Sequence, residues 1–191
     1  WVLNSYAKRP IPVINGGSGK DQHPTQALLD IYTISSEFKN LGGIENKTYA
    51  MIGDLKRGRT VRSLSYLLAL YNNIHINFIS PPNFAMQPDI LEFLDSKKVS
   101  YTITEDFISG ISKADAIYAT RIQDEHDKNF ESSNENFSRF NLTQEHLPLL
   151  KKHCIIMHPL PRRDEISVSV DQDPRAVYWK QERNGMWIRA A

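Results

Sequence analysis

From residue 47 onward, short apolar runs alternate with segments of helical period, and this alternation constrains the fold more than any other feature of the chain. "TYAMIGD" (48–54) reads as a buried strand and "TVRSLSYLLALY" (60–71) as an amphipathic helix. "IHINFIS" (74–80) is a strand and "PDILEFLDSKK" (88–98) a helix. "VSYTIT" (99–104), "DFISGISK" (106–113) and "ADAIYATR" (114–121) continue as strand, short helix and strand. "TQEHLPLLKK" (143–152) then predicts a helix and "HCIIMHPL" (153–160) a strand. A β-α-β-α rhythm of this kind calls for an α/β fold, a doubly wound parallel sheet with helices on both faces. Ligands of such sheets bind beyond the carboxyl ends of the strands, so the residues after each strand are where chemistry is expected.

Composition narrows the classes further. At 191 residues the chain suffices for one α/β domain but is short for two. Its 23 basic and 22 acidic residues leave a formal net charge of +1, so no global field attracts nucleic acid or an anionic membrane, and any anion must be held locally. A single cysteine, Cys154, rules out an internal disulfide framework and any cysteine metal cluster, and fits a reducing compartment. No apolar run approaches the roughly 20 residues that span a bilayer, and the N-terminus lacks the apolar segment of a signal peptide. These features point to a soluble, intracellular chain. It starts without methionine and stops at "GMWIRAA" with no evident closing element, so a longer parent protein is expected. The stretch 124–141, "DEHDKNFESSNENFSRFN", is polar and aperiodic and reads as a long mobile surface loop beside the site.

Two nucleotide readings fail. "INGGSGKD" resembles a phosphate loop, but Ile14 stands where a Walker A loop needs its first glycine, and Asp21 where it needs Ser or Thr. A dinucleotide site needs G-x-G-x-x-G after the first strand, and "IGDLKRGRT" does not supply it.

Four other stretches carry the chemistry. In "QHPTQALLDIYT", Pro24 suits the first turn of a helix, which holds His23 at the positive end. There the imidazole can donate to a carbonyl or phosphate oxygen, with the Gln26 amide offered to the same ligand; the alternative is that His23 merely caps the helix. In "GDLKRGRTVRSL", Arg59 opens a helix as an anion clamp, with Thr60 expected as its cap. The alternative is a solvated basic turn, which fits Arg57 and Arg62 better than Arg59. In "ATRIQDE", Arg121 and Gln123 project to one side of a strand exit and could receive a second carboxylate, unless Arg121 pairs with Asp124 or Glu125. In "HPLPRRDEI", Pro159 and Pro161 flank Leu160 and stiffen a backbone that offers carbonyl oxygens, suited to an NH2 group, although it could be just a stiff loop. Together these groups fit a dicarboxylate, a carbonyl and an amino group, and no side chain looks like a nucleophile.

In this order and spacing, "QHPTQALLDIYTI", "GDLKRGRTVRSL", "TRIQDE", "HPLPRRDEI" and "YWKQERNGMWIRAA" resemble the aspartate carbamoyltransferase family over nearly the whole chain. "HPLP" rather than "HCLP" favours the aspartate branch over the ornithine branch. The resemblance implies a Rossmann-like aspartate-binding domain over 24–191, with 1–23 as the tail of a carbamoyl-phosphate domain that is otherwise absent. It implies transfer of a carbamoyl group from carbamoyl phosphate to L-aspartate, an early committed step of pyrimidine (UMP) synthesis, without metal or organic cofactor. His23 and Gln26 would contact carbamoyl phosphate, with His23 polarising the carbonyl. Pro159, Leu160 and Pro161 would cradle the carbamoyl group, and Arg59, Thr60, Arg121 and Gln123 would hold aspartate; His23 and Arg59 would be catalytic. A homotrimer in the cytoplasm is implied, leaving open regulatory subunits, fused domains and organellar targeting. The family's S-T-R-T phosphate loop, its final helix, and the lysine and serine lent by a neighbouring subunit are not in this sequence. The 191 residues alone are therefore expected to bind without turnover. His126 stands where many members have an arginine bridging the two domains, which bears on domain closure.

Overall fold

A computed structural model describes residues 14–19, 21–122 and 137–191. Five strands form one parallel sheet: β1 (Thr48–Ile52), β2 (His75–Ile79), β3 (Ser100–Thr104), β4 (Ala116–Ala119) and β5 (Ile155–Met157), in the order β3-β2-β1-β4-β5. The chain winds outward from β1 to β3, then crosses back to place β4 on the other side of β1. The expected doubly wound parallel sheet is the observed one, and its order reverses between β1 and β4.

Alternation along each strand sorts the core into two layers. Tyr49 and Met51 of β1, Ile76 and Phe78 of β2 and Tyr118 of β4 pack on one face, against α1 (Pro24–Glu37), α2 (Arg59–Leu68) and α3 (Pro88–Ser96). Ala50, Ile52, Ile79, Ile117 and Ile156 point to the other face, covered by α4 (Phe107–Ser112) and by Phe140, Leu142, Ile166 and Val170. A central strand covered on both sides must be apolar throughout, which is why β4 is buried at every residue; β5, at the end of the sheet, is buried likewise, with Ala176 bridged to Ile156 on its outer side. Edge strand β3 is more polar and largely exposed.

Three segments depart from the sequence reading. Residues 143–152 do not form an α-helix: Gln144–Leu149 is a 3-10 helix containing Pro148, whose missing N–H and ring cannot continue an α-helical ladder. Part of the stretch read as a mobile loop is structured, since Phe137–Phe140 forms a 3-10 turn with Phe140 buried; residues 123–136, with Gln123 and His126, lie outside the described residues. Residues that showed no closing element form α5 (Tyr178–Ala190), a 13-residue helix packed on α1. Among the described residues, no helix is long and apolar enough to cross a membrane.

Candidate functional site

Where β1 and β4 part, three strand exits, those of β1, β4 and β5, converge with the start of α1. Gly53 ends β1 with φ +114, and a Cβ there would lie 2.2 Å from the Thr120 carbonyl oxygen, so only glycine lets the two exits approach this closely. Thr120 fastens the junction by donating its hydroxyl to the Ile52 carbonyl at 3.0 Å. The turn after Gly53 is held by Asp54, which accepts the Arg57 N–H at 3.1 Å. Gly58 is equally constrained, because a Cβ would meet the Asp54 carbonyl oxygen at 2.7 Å. This tight turn delivers Arg59 to the first position of α2.

Arg59 points back over the site and donates from Nη1 to the Gly19 carbonyl at 3.0 Å. Gly58 is the N-cap, which leaves Thr60 as the second residue of α2 rather than its cap, buried against the site. The neighbouring arginines are committed elsewhere. Arg57 is buried rather than solvated, 3.6 Å from Asp54 and over the Phe84 ring at 4.9 Å. Arg62 forms a two-pronged pair with Asp89 at the surface.

His23 precedes α1, with Pro24 in the first turn as expected, and its side chain makes no capping hydrogen bond. His23 is the N-cap of α1 by position, capping through its backbone and not its side chain. Its backbone N–H donates to Ser63 Oγ at 2.9 Å, and Ser63 donates to Gln22 Oε1 at 2.6 Å, stitching α1 to α2. Burial, with the positive charges of Arg59 and Arg189, holds the imidazole pKa below its usual value, so the ring is neutral at neutral pH. Nδ1 is buried with no hydrogen-bond partner. An unpaired acceptor is tolerated better than an unpaired N–H, which assigns the proton to Nε2.

At the exit of β5, His158 is buried and works through both ring nitrogens. Nε2–H donates to Glu165 Oε1 at 2.7 Å, and Nδ1 accepts the Leu160 N–H at 2.8 Å. Leu160 adopts φ +50 and precedes a cis proline, Pro161. Burial alone would raise the Glu165 pKa, but hydrogen bonds from His158 and the Arg163 N–H hold it below the usual range. The stretch 158–161 is thus pinned from behind through His158.

These groups share one cleft of about 330 Å³, lined by His23, Gln26, Arg59, Thr60, Arg121 and the stretch 158–161, together with Gly19 and Thr120. Among the described residues none that lines the cleft is acidic, and Arg59 and Arg121 bring two guanidinium groups to it. Arg121 also donates to the Ile122 carbonyl at 3.0 Å. Every sequence-derived site residue among those described is therefore brought together. Among the described residues, no group of three or more His, Cys, Asp or Glu side chains is placed to hold a metal ion.

The residues behind the cleft were missed. Asp30 is fully buried, accepting from Gln26 Nε2 at 3.0 Å and Gln181 Nε2 at 2.6 Å on one oxygen and from the Tyr118 hydroxyl at 2.7 Å on the other. Burial pushes its carboxyl up to about 7 against the pull of those hydrogen bonds. The available signal was small: a lone aspartate in "ALLDIYT", one helical turn after Gln26.

The family model described as "Aspartate/ornithine carbamoyltransferase, Asp/Orn binding domain" matches residues 45–191, and the companion "carbamoyl-P binding domain" model matches residues 2–36. A chloroplastic aspartate carbamoyltransferase of Oryza sativa subsp. japonica is 47% identical over 97% of this chain and 50% of the relative. The multifunctional protein CAD of Squalus acanthias is 44% identical over 94% of this chain, which corresponds to 8% of that protein. A crystal structure of aspartate transcarbamoylase from Trypanosoma cruzi, in complex with N-(phosphonacetyl)-L-aspartic acid, superposes with a TM-score of 0.82 at 40% identity, covering 93% of this chain and 57% of the other. The chain spans about half the length of the rice relative. With a sheet reversal that builds this cleft and family models that match most of its length, the chain belongs to the aspartate/ornithine carbamoyltransferase family.

Proposed function

We propose that this chain is the aspartate-binding half of an aspartate carbamoyltransferase, residues 24–191, preceded by the end of a carbamoyl-phosphate domain. The longer protein transfers the carbamoyl group of carbamoyl phosphate to the amine of L-aspartate, giving N-carbamoyl-L-aspartate and phosphate for pyrimidine (UMP) synthesis. The observation that carries this reading is the convergence of Arg59, Arg121, His23, Gln26 and the Leu160 stretch on one cleft.

In the proposed reaction, Arg59 and Arg121 bind the two carboxylates of aspartate, with Thr60 and Gln123 assisting. The amine lone pair attacks the carbamoyl carbon and a C–N bond forms, placing negative charge on the carbonyl oxygen. Nε2–H of neutral His23 donates to that oxygen, where charge develops. The C–O bond to phosphate then breaks, the phosphate departs with the electron pair, and the amine loses a proton. Gln26 and the carbonyls of Pro159 and Leu160 hold the carbamoyl NH2, with Pro161 fixing the backbone. Catalysis is by placement and charge, without a covalent enzyme intermediate, metal or organic cofactor.

The working unit is proposed to be a homotrimer, in which a neighbouring subunit completes the site, and this chain alone turns over negligibly. Fusion to further domains is compatible with the relationship to CAD. The proposed location is cytoplasmic, with an organellar one as the alternative given the chloroplastic rice relative. The test is acceptor choice by the longest polypeptide encoded around this sequence. Carbamoylation of L-aspartate with none of L-ornithine is expected, and carbamoylation of L-ornithine alone overturns the assignment.

A further inference from the structure

Behind the cleft, the hydrogen bonds around Asp30 have a direction. A carboxylate only accepts, so an amide beside it must turn its NH2 end inward and its oxygen away. Gln26 gives Nε2 to Asp30 at 3.0 Å and lines the cleft, so its Oε1 is the end of the amide left to meet a ligand. Gln181, on α5, gives Nε2 to the same carboxylate oxygen at 2.6 Å, and its Oε1 accepts the His158 N–H at 2.9 Å. His158 in turn holds the Leu160 N–H on Nδ1 at 2.8 Å, and the stretch it fixes lines the cleft. One buried carboxylate therefore orients both walls. The sequence offers the Gln26 amide to the ligand without choosing an end; the structure spends at least one of its NH2 hydrogens on Asp30.

We propose that Asp30 is a positioning residue that gives the carbamoyl subsite its acceptor character, and so makes it select a ligand with an NH2 group over an isosteric one with a methyl group. This rests on the carbamoyl-transfer reading above and adds the origin of the choice. Gln26 presents its oxygen on one side, the 158–161 backbone presents carbonyls on the other, and both polarities follow from a carboxylate that touches no substrate. An acetyl group of the same shape leaves those oxygens unpaired in a desolvated site, which is where discrimination by hydrogen bonding is strongest. A purely structural Asp30 would support both ligands alike.

The experiment uses the longest polypeptide that contains this sequence, at pH 8, above the Asp30 titration near 7. The affinities of carbamoyl phosphate and acetyl phosphate are measured with the KM for aspartate and kcat. Wild type is expected to prefer carbamoyl phosphate. Asp30→Asn introduces an amide that can pair with either end of Gln26 or Gln181, and should reduce that preference at least tenfold, chiefly through the KM for carbamoyl phosphate. Gln181→Met, similar in length and without an amide, should shift the preference in the same direction by a smaller factor and guards against an unfolded Asp30→Asn variant. If both variants weaken the two ligands equally, or leave the preference intact, the proposal is overturned while the carbamoyl-transfer reading stands. If wild type itself shows no preference for carbamoyl phosphate, the reading beneath it falls as well.

Discussion

At Arg59, backbone and side chain serve one purpose. The residue opens α2 after a turn that Gly53 and Gly58 make possible, and its guanidinium lies over the cleft with one hydrogen on the Gly19 carbonyl. A planar fork at a helix N-terminus suits a carboxylate in a way that a lysine point charge does not. Arg59→Lys is therefore expected to lower kcat/KM for aspartate by ~100-fold, about 3 kcal/mol of transition-state stabilisation, in the longer protein. A loss under threefold in steady-state assays would show that charge alone suffices there. His23, Gln26, Arg59, Arg121 and the 158–161 stretch were legible because each follows a recognisable strand or opens a helix, where an α/β sheet puts its ligands. Asp30, Tyr118 and Gln181 were not legible, because their meaning lies in contacts separated by 88 and 151 residues along the chain. Arg57 was misread for a related reason: a charge beside other charges looks solvated until the Phe84 ring above it is seen.

Among the elements, β4 and β5 were legible because burial leaves them uniformly apolar, while the more polar, exposed β3 was legible from its place in the alternation of strands and helices. α5 was not. Its buried face consists of Tyr178, Gln181, Asn184 and Gly185, while Trp179, Met186 and Trp187 are exposed, so apolar periodicity points away from the packed side. The packing is polar instead: Asn184 Nδ2 donates to Thr33 Oγ1 at 2.9 Å, Gln181 reaches Asp30, and Lys180 pairs with Glu37. Gly185 allows close approach, since a Cβ there would sit 3.0 Å from Leu29 Cδ2. The closest approach of all is between the exits of β1 and β4. Gly53→Ala adds a methyl 2.2 Å from the Thr120 carbonyl oxygen at a φ that alanine rarely adopts, and should cost roughly 3 kcal/mol or more of stability. Chemical denaturation of the variant measures this, and a loss below about 1 kcal/mol would mean that the junction is looser than it stands here.

Across the whole molecule, buried ionisable groups set how stability depends on pH. Asp30 titrates near 7 when folded, above an ordinary aspartate near 3.8, so between those values the folded chain keeps a proton that the unfolded chain has released. Its contribution to stability thus falls as pH rises through that window. Glu165 and Asp115 have the opposite sign, because lowered carboxyl pKa values give stability that is lost on acidification below the usual carboxylate range. His23, lowered from 6.5, likewise favours the fold less as pH drops below that value. Comparing Asp30→Asn with wild type isolates the first effect: the variant's Tm should improve relative to wild type from pH 4 to pH 7, whereas a constant difference would contradict a raised Asp30.

The central claim, that this cleft supplies the aspartate half of a carbamoyl-transfer site, is tested most directly by following N-carbamoyl-L-aspartate formed from carbamoyl phosphate and L-aspartate. The assay is run in parallel on the 191-residue chain and on the longest polypeptide encoded around it. Product from the longer polypeptide, with negligible turnover by the chain alone, is the result predicted. No product from the longer polypeptide would contradict the substrate assignment, and turnover by the 191 residues alone would contradict the division of the site between two domains.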